Sequence, residues 1–385
     1  MTLGATLATG MIFMMQSPLL HQSSTSTSLL SRLNVPAATT IAWPEVGSAA
    51  LVIPALGLQR SHHNAVVPIA SLTKLMTAYV VLQKLPLLPG ETGPCLRVNA
   101  DDVAYYETLV DSGQSSAAVA VGETLCENQL LAGLLVHSAG NFATMLANLA
   151  WGGTTLFVEN MNIQAHVLDL TGTHYVDVTG VGTQSVSTAL DQGELAARLM
   201  QFAVVRAIVN QSSVTLPVAG TLGSFQPYVG LDNVVGVKSG RTAAAGGCDV
   251  MAMTFTLGGK TELAYAVVLG ARGGDLLGPA GDEALALEQS VLRSEKSLWI
   301  PAGTVVGTLG WDNQRVNVVV KDHLELSWFT ALHAANVRLH IDAETKPVKP
   351  GQVVGWLNVN EGVGYRVPLT VKRRVSSLSL FQRLR

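Results

Sequence analysis

The chain has 385 residues, with 24 Lys and Arg against 27 Asp and Glu and a formal net charge of −3. That balance offers no basic field to a nucleic-acid backbone, and with 5% aromatic residues there is no base-stacking surface, so nucleic acid is set aside as a partner. Charged residues are only 13%, yet no apolar run reaches the ~20 residues of a membrane-spanning helix, and the length suffices for two or three domains with a large buried core.

Met1 to Leu20 is mostly apolar, and Leu7 to Met15 has the length of a signal-peptide core. It lacks a positive n-region, since the first basic residue after His21 is Arg32. An export leader or N-terminal anchor is one reading, a disordered leader the other. Gln22 to Ser31, rich in Ser and Thr, reads as a linker, and residues 1–46 are set apart as leader and linker. Ala49 to Ile53 has strand character, and Leu72 to Leu85, free of Gly and Pro, reads as a buried helix. Asn128 to Val136 and Phe142 to Trp151 read as two helices broken at Ser138-Ala139-Gly140, followed by a helix over Leu156 to Leu168. Thr188 to Val209 reads as one further helix, with Thr188 or Ser187 as N-cap.

Val234 to Val237, Cys248 to Leu257 and Leu263 to Leu269 read as consecutive strands between Gly-rich turns, and Asp282 to Ser297 as a closing helix. Residues 47–297 are therefore expected to form an α+β domain, an antiparallel sheet flanked by helices. Residues 298–374 hold short apolar runs at Thr304 to Leu309, Arg315 to Val320, Val337 to Ile341, Val353 to Val359 and Arg366 to Val371, the pattern of a small all-β domain. Residues 375–385 close the chain as a basic amphipathic tail, continuing Lys372, Arg373 and Arg374 with Arg383 and Arg385, suited to lie on a membrane surface; a frayed basic tail is the alternative.

Three cysteines, Cys95, Cys126 and Cys248, include no Cys-x-x-Cys pair, which removes zinc-ribbon and thioredoxin-type sites. Cys95 and Cys126 form a candidate disulfide for an exported chain; three buried thiols are the alternative. His62-His63 has no third ligand, so no metal is expected. His137, beside Ser138, is read as structural.

Ser71-Leu72-Thr73-Lys74 stands at the head of the first apolar helix. Residues three apart share a helix face, so the Lys74 amine can reach the Ser71 hydroxyl. A serine becomes a useful nucleophile only beside a base, and a buried lysine loses proton affinity and can serve as one. Lys238-Ser239-Gly240 follows an apolar strand run. A cation, a hydroxyl and a glycine on an edge strand suit a peptide carboxylate and its approaching backbone. Ser138, in the helix break, can relay a proton. Each motif alone is weak: a helix N-cap or a solvated lysine explains it as well.

Their order is specific. Ser-x-x-Lys, a Ser-centred break and Lys-Ser/Thr-Gly follow the pattern of penicillin-binding proteins and class A β-lactamases. The surrounding segments Pro68 to Tyr79, Phe157 to Asn162, Thr173 to Asp177 with Ser187-Thr188-Ala189, and Val237 to Thr242 with Ala244 to Gly247 resemble the D-alanyl-D-alanine carboxypeptidases, the low-mass penicillin-binding proteins, over about Ser48 to Ser297. The β-rich remainder is similar to that family's C-terminal domain.

The resemblance implies a β-lactamase/DD-peptidase-like fold without cofactor. It implies Ser71 as nucleophile, Lys74 as its base and Ser138 as proton relay, with Lys238 and Ser239 holding the substrate carboxylate. The backbone N–H groups of Ser71 and Arg241 would stabilise the oxyanion. The implied partners are peptidoglycan stem peptides ending in D-Ala-D-Ala and β-lactams as covalent inhibitors, at an extracytoplasmic location, secreted or membrane-associated. Two departures stand out. Ser239 replaces the usual Thr, and Gly140 stands where the family carries Asn, with Asn141 one residue late and counted as a substrate-binding candidate. Gly140 keeps open a weakened penicillin-binding scaffold, and a β-lactamase is the lesser alternative.

Overall fold

The computed structural model describes residues 21–23, 40–257, 259–311, 314–332, 336–341, 348–360 and 365–374. The apolar leader Met1 to Leu20 and the tail 375–385 lie outside the described residues. The chain divides into two compact units. One comprises residues 37–296 with 329–333, and the other residues 297–328 and 334–385 with 1–36.

The larger unit is built on a five-stranded antiparallel sheet of β1 (Ser48–Ile53), β2 (Leu58–His62), β3 (Val234–Thr242), β4 (Gly246–Leu257) and β5 (Lys260–Ala271), in the order β3-β4-β5-β1-β2. The helices are α1 (Thr73–Lys84), α2 (Ala100–Asp111), α3 (Glu127–Val136), α4 (Gly140–Trp151), α5 (Thr154–Val167), α6 (Ala189–Leu199), α7 (Ala203–Val209) and α8 (Leu277–Leu292). Both faces of the sheet are covered. Cys248, Val250 and Ala252 of β4 join the core shared with α1, α3 and α4. Met251 and Met253 join a second core with Ala280, Ala284, Leu287 and Val291 of α8. A strand covered on both faces reads as an unbroken apolar run, which is why β4 and β5 stand out in the sequence. Helix α1 is buried from Thr73 through Leu82, as expected of a helix apolar all round.

The expected helix over Thr188 to Val209 is two helices. Arg206 Nη1 donates to the carbonyls of Met200 and Gln201 at 2.6 and 3.0 Å. It thereby satisfies carbonyls that the end of α6 leaves without helical partners. The expected Asp282 to Ser297 helix begins earlier and ends sooner, at Leu277–Leu292, and Ser297 lies in the strand Glu295–Ile300. Gly278 and Pro279 look like breakers, but a proline in the first turn has no helical N–H to lose. Helix α2 carried no sequence signal because Leu109 is its only buried residue. A capping box between Asn99 and Asp102 fixes its start instead.

Cys95 and Cys126 are disulfide-bonded, facing each other across the antiparallel strand pair Cys95–Arg97 and Thr124–Cys126. Cys248 is free and buried. The bridge closes a loop of 31 residues, and a closure of that length stabilises by about 3–4 kcal/mol through the unfolded chain. Cys95→Ser with Cys126→Ser is expected to lower the urea midpoint of unfolding accordingly. An unchanged midpoint would refute this account.

The smaller unit holds a six-stranded antiparallel sheet in the order His21–Ser23, Val305–Trp311, Gln314–Val320, Tyr365–Val371, Val353–Asn360, Asn336–Ile341. Gln22 and Ser23, read as linker, form part of its first strand, with Gln22 opposite Leu309. Val316, Val318, Val320, Leu357 and Leu369 are buried. Leu324–Phe329, a strand unmarked in the sequence, pairs with Glu295–Ile300.

Candidate active site

Ile69 ends an extended segment, and Ala70 to Leu72 make a single 3-10 turn that runs into α1. Ala70 takes φ 47°, a left-handed conformation that costs a non-glycine residue on the order of 1 kcal/mol. This turn leaves Ser71 half-exposed while Leu72 through Leu82 sink into the core. Lys74, one turn on, is 2% exposed. Its Nζ donates to Ser71 Oγ at 2.9 Å and to the Thr179 carbonyl at 2.8 Å. Burial pulls the Lys74 ammonium down to about 7, against the opposing pull of Asp177. An amine that is half neutral near pH 7 and touches a serine hydroxyl has the makings of a general base.

The Thr179 carbonyl is held in place by Asp177. Its Oδ1 accepts from Thr179 N at 2.6 Å and Gly180 N at 2.5 Å, and its Oδ2 from Gly182 N at 2.8 Å. Gly180 sits at φ 83°, where a Cβ would lie 1.7 Å from the Ala70 carbonyl oxygen; only glycine permits that approach. Sequence reasoning saw Asp177 as part of a family segment and missed Thr179. The Asp-x-Thr-Gly turn chemistry is the signal that would have found them.

Strand β3 passes just as close to the serine. A Cβ on Gly240 would fall 2.6 Å from Ser71 N and 2.9 Å from Ser71 Cβ. The backbone of β3 therefore lies against the Ser71 amide with room for no side chain. Ser239 Oγ donates to the Phe225 carbonyl at 2.6 Å. Arg241 lines the cleft, and its Nη1 donates to the Asp275 carbonyl at 2.5 Å. Ser138 adopts φ 60°, and its buried Oγ has no partner among the described residues. It shares the cleft wall with Ser71 and Lys74.

Two sequence candidates are placed otherwise. Asn141 is 1% exposed. Its Oδ1 accepts from Ala117 N at 3.1 Å and its Nδ2 donates to Ala117 O at 2.8 Å. It ties α4 to the neighbouring loop and does not line the cleft. A slip of one residue turns a helical side chain by about 100°, enough to carry it from cleft to core. Lys238 is likewise buried, and its Nζ donates to the Ser239 carbonyl at 2.7 Å. It stands behind the cleft wall and does not line it. Burial and then repulsion by Lys74 drive its pKa well down, while Asp249 opposes. Asp249, opposite Ser239 across the ladder, accepts from Gln226 Nε2 at 2.9 and 3.1 Å. Burial pushes its carboxyl up to about 7 against the Gln226 hydrogen bond and Lys238. A single acid inside an apolar strand gave no reason to single it out. His137 stacks on Phe225 and its Nδ1 meets the Gly223 carbonyl at 2.9 Å, a structural role.

Ser71, Lys74, Ser138, Thr179, Ser239 and Gly240 line a cleft of about 240 Å³. A groove of about 700 Å³, lined by Val52, Arg198 and Tyr265 among others, is larger but holds none of the motif residues, so the chemistry points to the smaller one. A sequence profile of the D-alanyl-D-alanine carboxypeptidases, peptidase family S11, matches residues 56–273. The chain belongs to that family. It is a serine hydrolase of the D-Ala-D-Ala peptidase class. The D-alanyl-D-alanine endopeptidase of Escherichia coli K12 is 30% identical over 229 residues, 56% of this chain and 70% of that protein. The D-alanyl-D-alanine carboxypeptidase of Streptomyces strain K15 is 29% identical over 215 residues, 50% of this chain and 69% of that one. Among solved structures, penicillin-binding protein 5 of Haemophilus influenzae superposes with a TM-score of 0.60 at 19% identity, covering 87% of this chain and 99% of that one. Penicillin-binding protein 6B of Escherichia coli gives 0.61 at 22% identity, covering 85% and 95%. At such identities the likeness concerns the fold, and it extends across the α+β unit and the C-terminal β-rich unit of this S11 peptidase.

Proposed function

We propose that the chain is a penicillin-sensitive D-Ala-D-Ala carboxypeptidase that removes the terminal D-alanine of peptidoglycan stem peptides. The observation that carries this reading is the contact of a buried, weakly basic Lys74 with a half-exposed Ser71 hydroxyl at 2.9 Å. Ser71 Oγ attacks the carbonyl before the last D-alanine while Lys74 takes its proton. Ser138, whose hydroxyl has no partner among the described residues, passes a proton to the departing D-alanine nitrogen. The Ser71 and Arg241 backbone N–H groups stabilise the oxyanion. Water then attacks the ester, returning a proton to Ser71 Oγ through Lys74.

The substrate carboxylate docks on Ser239 and Gly240, with Lys238 behind them. Its arrival supplies a counter-charge, so Lys238 binds a proton more readily, and a protonated Lys238 keeps Lys74 neutral. The Cys95–Cys126 disulfide supports an oxidising, extracytoplasmic location. Among the described residues no helix is long and apolar enough to cross a membrane, and surface contact through the basic residues 372–385 is the proposed mode of association.

The test is to incubate the purified protein with a fluorescent penicillin and, separately, with diacetyl-Lys-D-Ala-D-Ala. Covalent label mapped to the peptide containing Ser71, together with D-alanine release, is the expected result. Label without release favours the scaffold reading. Cleavage of cross-linked muropeptides without release from the monomeric peptide would reassign the chain as an endopeptidase, the activity named for its Escherichia coli relative.

Gly240→Ala tests the close approach of β3. Its methyl would collide with the Ser71 amide and misalign an oxyanion donor, which costs on the order of 10²–10³-fold in acylation. Wild-type acylation rates in this variant would refute the placement.

A further inference from the structure

We infer that Gln114 is the side chain that reads the substrate's backbone amide, a task for which Gly140 has no side chain. The inference rests on Ser71 being the nucleophile of the cleft. Helix α2 ends at Asp111, and Gly113, at φ 67°, turns the chain back. Gln114 N then donates to the Leu109 carbonyl at 2.8 Å. The next residue, Ser115, accepts from Gly140 N at 2.8 Å. A Cβ on Gly140 would lie 3.2 Å from the Ser115 carbonyl oxygen and 3.3 Å from Leu109 Cδ1. The segment 109–115 therefore forms the wall that a side chain at 140 would otherwise form.

Gln114 lines the cleft and is half-buried. Its carboxamide has no hydrogen-bond partner among the described residues. It is also the one carboxamide among the described residues of the wall, which otherwise offers hydroxyls, glycines, apolar groups, Lys74 and an Arg241 already held by Asp275. A peptide group presents one donor and one acceptor, and a carboxamide answers both without adding charge. Asn141, the nearest alternative, spends both of its amide atoms on Ala117. Gln114 thus selects ligands that carry an amide next to the group that acylates Ser71.

The test compares Gln114→Ala and the shape-preserving Gln114→Leu with the parent protein. Acylation rates are measured with benzylpenicillin, which has an acylamido side chain, and with 6-aminopenicillanic acid, which has none. Peptide turnover is followed alongside. Both variants are expected to lose about tenfold in benzylpenicillin acylation and in peptide kcat/KM, the effect of one hydrogen bond to a buried polar group. Acylation by 6-aminopenicillanic acid should stay within about twofold, far less than the loss of that bond. Unchanged rates for both lactams, or an equal loss for both, would overturn the assignment. A parent protein that neither lactam acylates would instead refute Ser71 as the nucleophile.

Discussion

Ser71→Ala is expected to abolish covalent penicillin labelling and to lower peptide turnover by on the order of 10⁵–10⁶-fold, the scale seen when the nucleophile of a serine hydrolase is removed. Ser71 is the hydroxyl that combines access to the cleft with a base in contact. Ser138 lines the same cleft but is 2% exposed, and it sits in a left-handed backbone conformation. Its hydroxyl has no base in contact among the described residues. Among the described residues the Ser71 hydroxyl bonds only Lys74, so its loss leaves the fold intact and the thermal midpoint unchanged. Stoichiometric labelling of the Ser71→Ala variant would sink the assignment.

Lys74→Arg is expected to cost about 10³-fold in acylation, within the range for loss of a general base. Arginine keeps a positive charge near Ser71 but does not release a proton in proteins, so the variant separates charge from basicity. The parent enzyme should also show the base in its pH profile. Burial lowers Lys74 to about 7. Only the neutral amine accepts the Ser71 proton, so the active fraction grows as pH rises through about 7 and falls below it. Acylation at pH 5.5 should be about 30-fold slower than on the alkaline plateau, following the neutral fraction of a single group. The Lys74→Arg variant should lack that step. A parent profile that is flat from pH 5.5 to 8, or a step that survives in the arginine variant, would remove Lys74 from the role.

Helix α2 is among the elements that failed to show in the sequence, and it shows why. Periodicity reports burial, and α2 buries one residue, Leu109. Its start is instead fixed by the Asn99 and Asp102 side chains. The single helix expected over Thr188 to Val209 broke at Gln201 because of a side chain four residues into the next helix. By contrast, β4, β5 and α1 were plain because they are buried on all sides.

The site divides in the same way. Ser71 and Lys74 were legible as a pair because they are three residues apart at the head of a helix, and helical geometry alone brings i and i+3 together. The order of the three motifs likewise carried the family resemblance, since type and spacing are properties of the chain. What set the chemistry was decided at a distance. Thr179, which holds Lys74, is 105 residues away from it. Gly240, whose backbone lies against Ser71, is on a strand at the sheet edge. Asn141 turned into the core to meet Ala117, and Lys238 went behind the wall it was expected to line. Residue type and spacing were enough to show which groups could do acyl transfer, and to set the local geometry of the nucleophile with its base. Which of the other candidates face the cleft was settled by packing, because the burial of Lys74, the approach of β3 and the direction of Asn141 arise between segments that no local periodicity encodes.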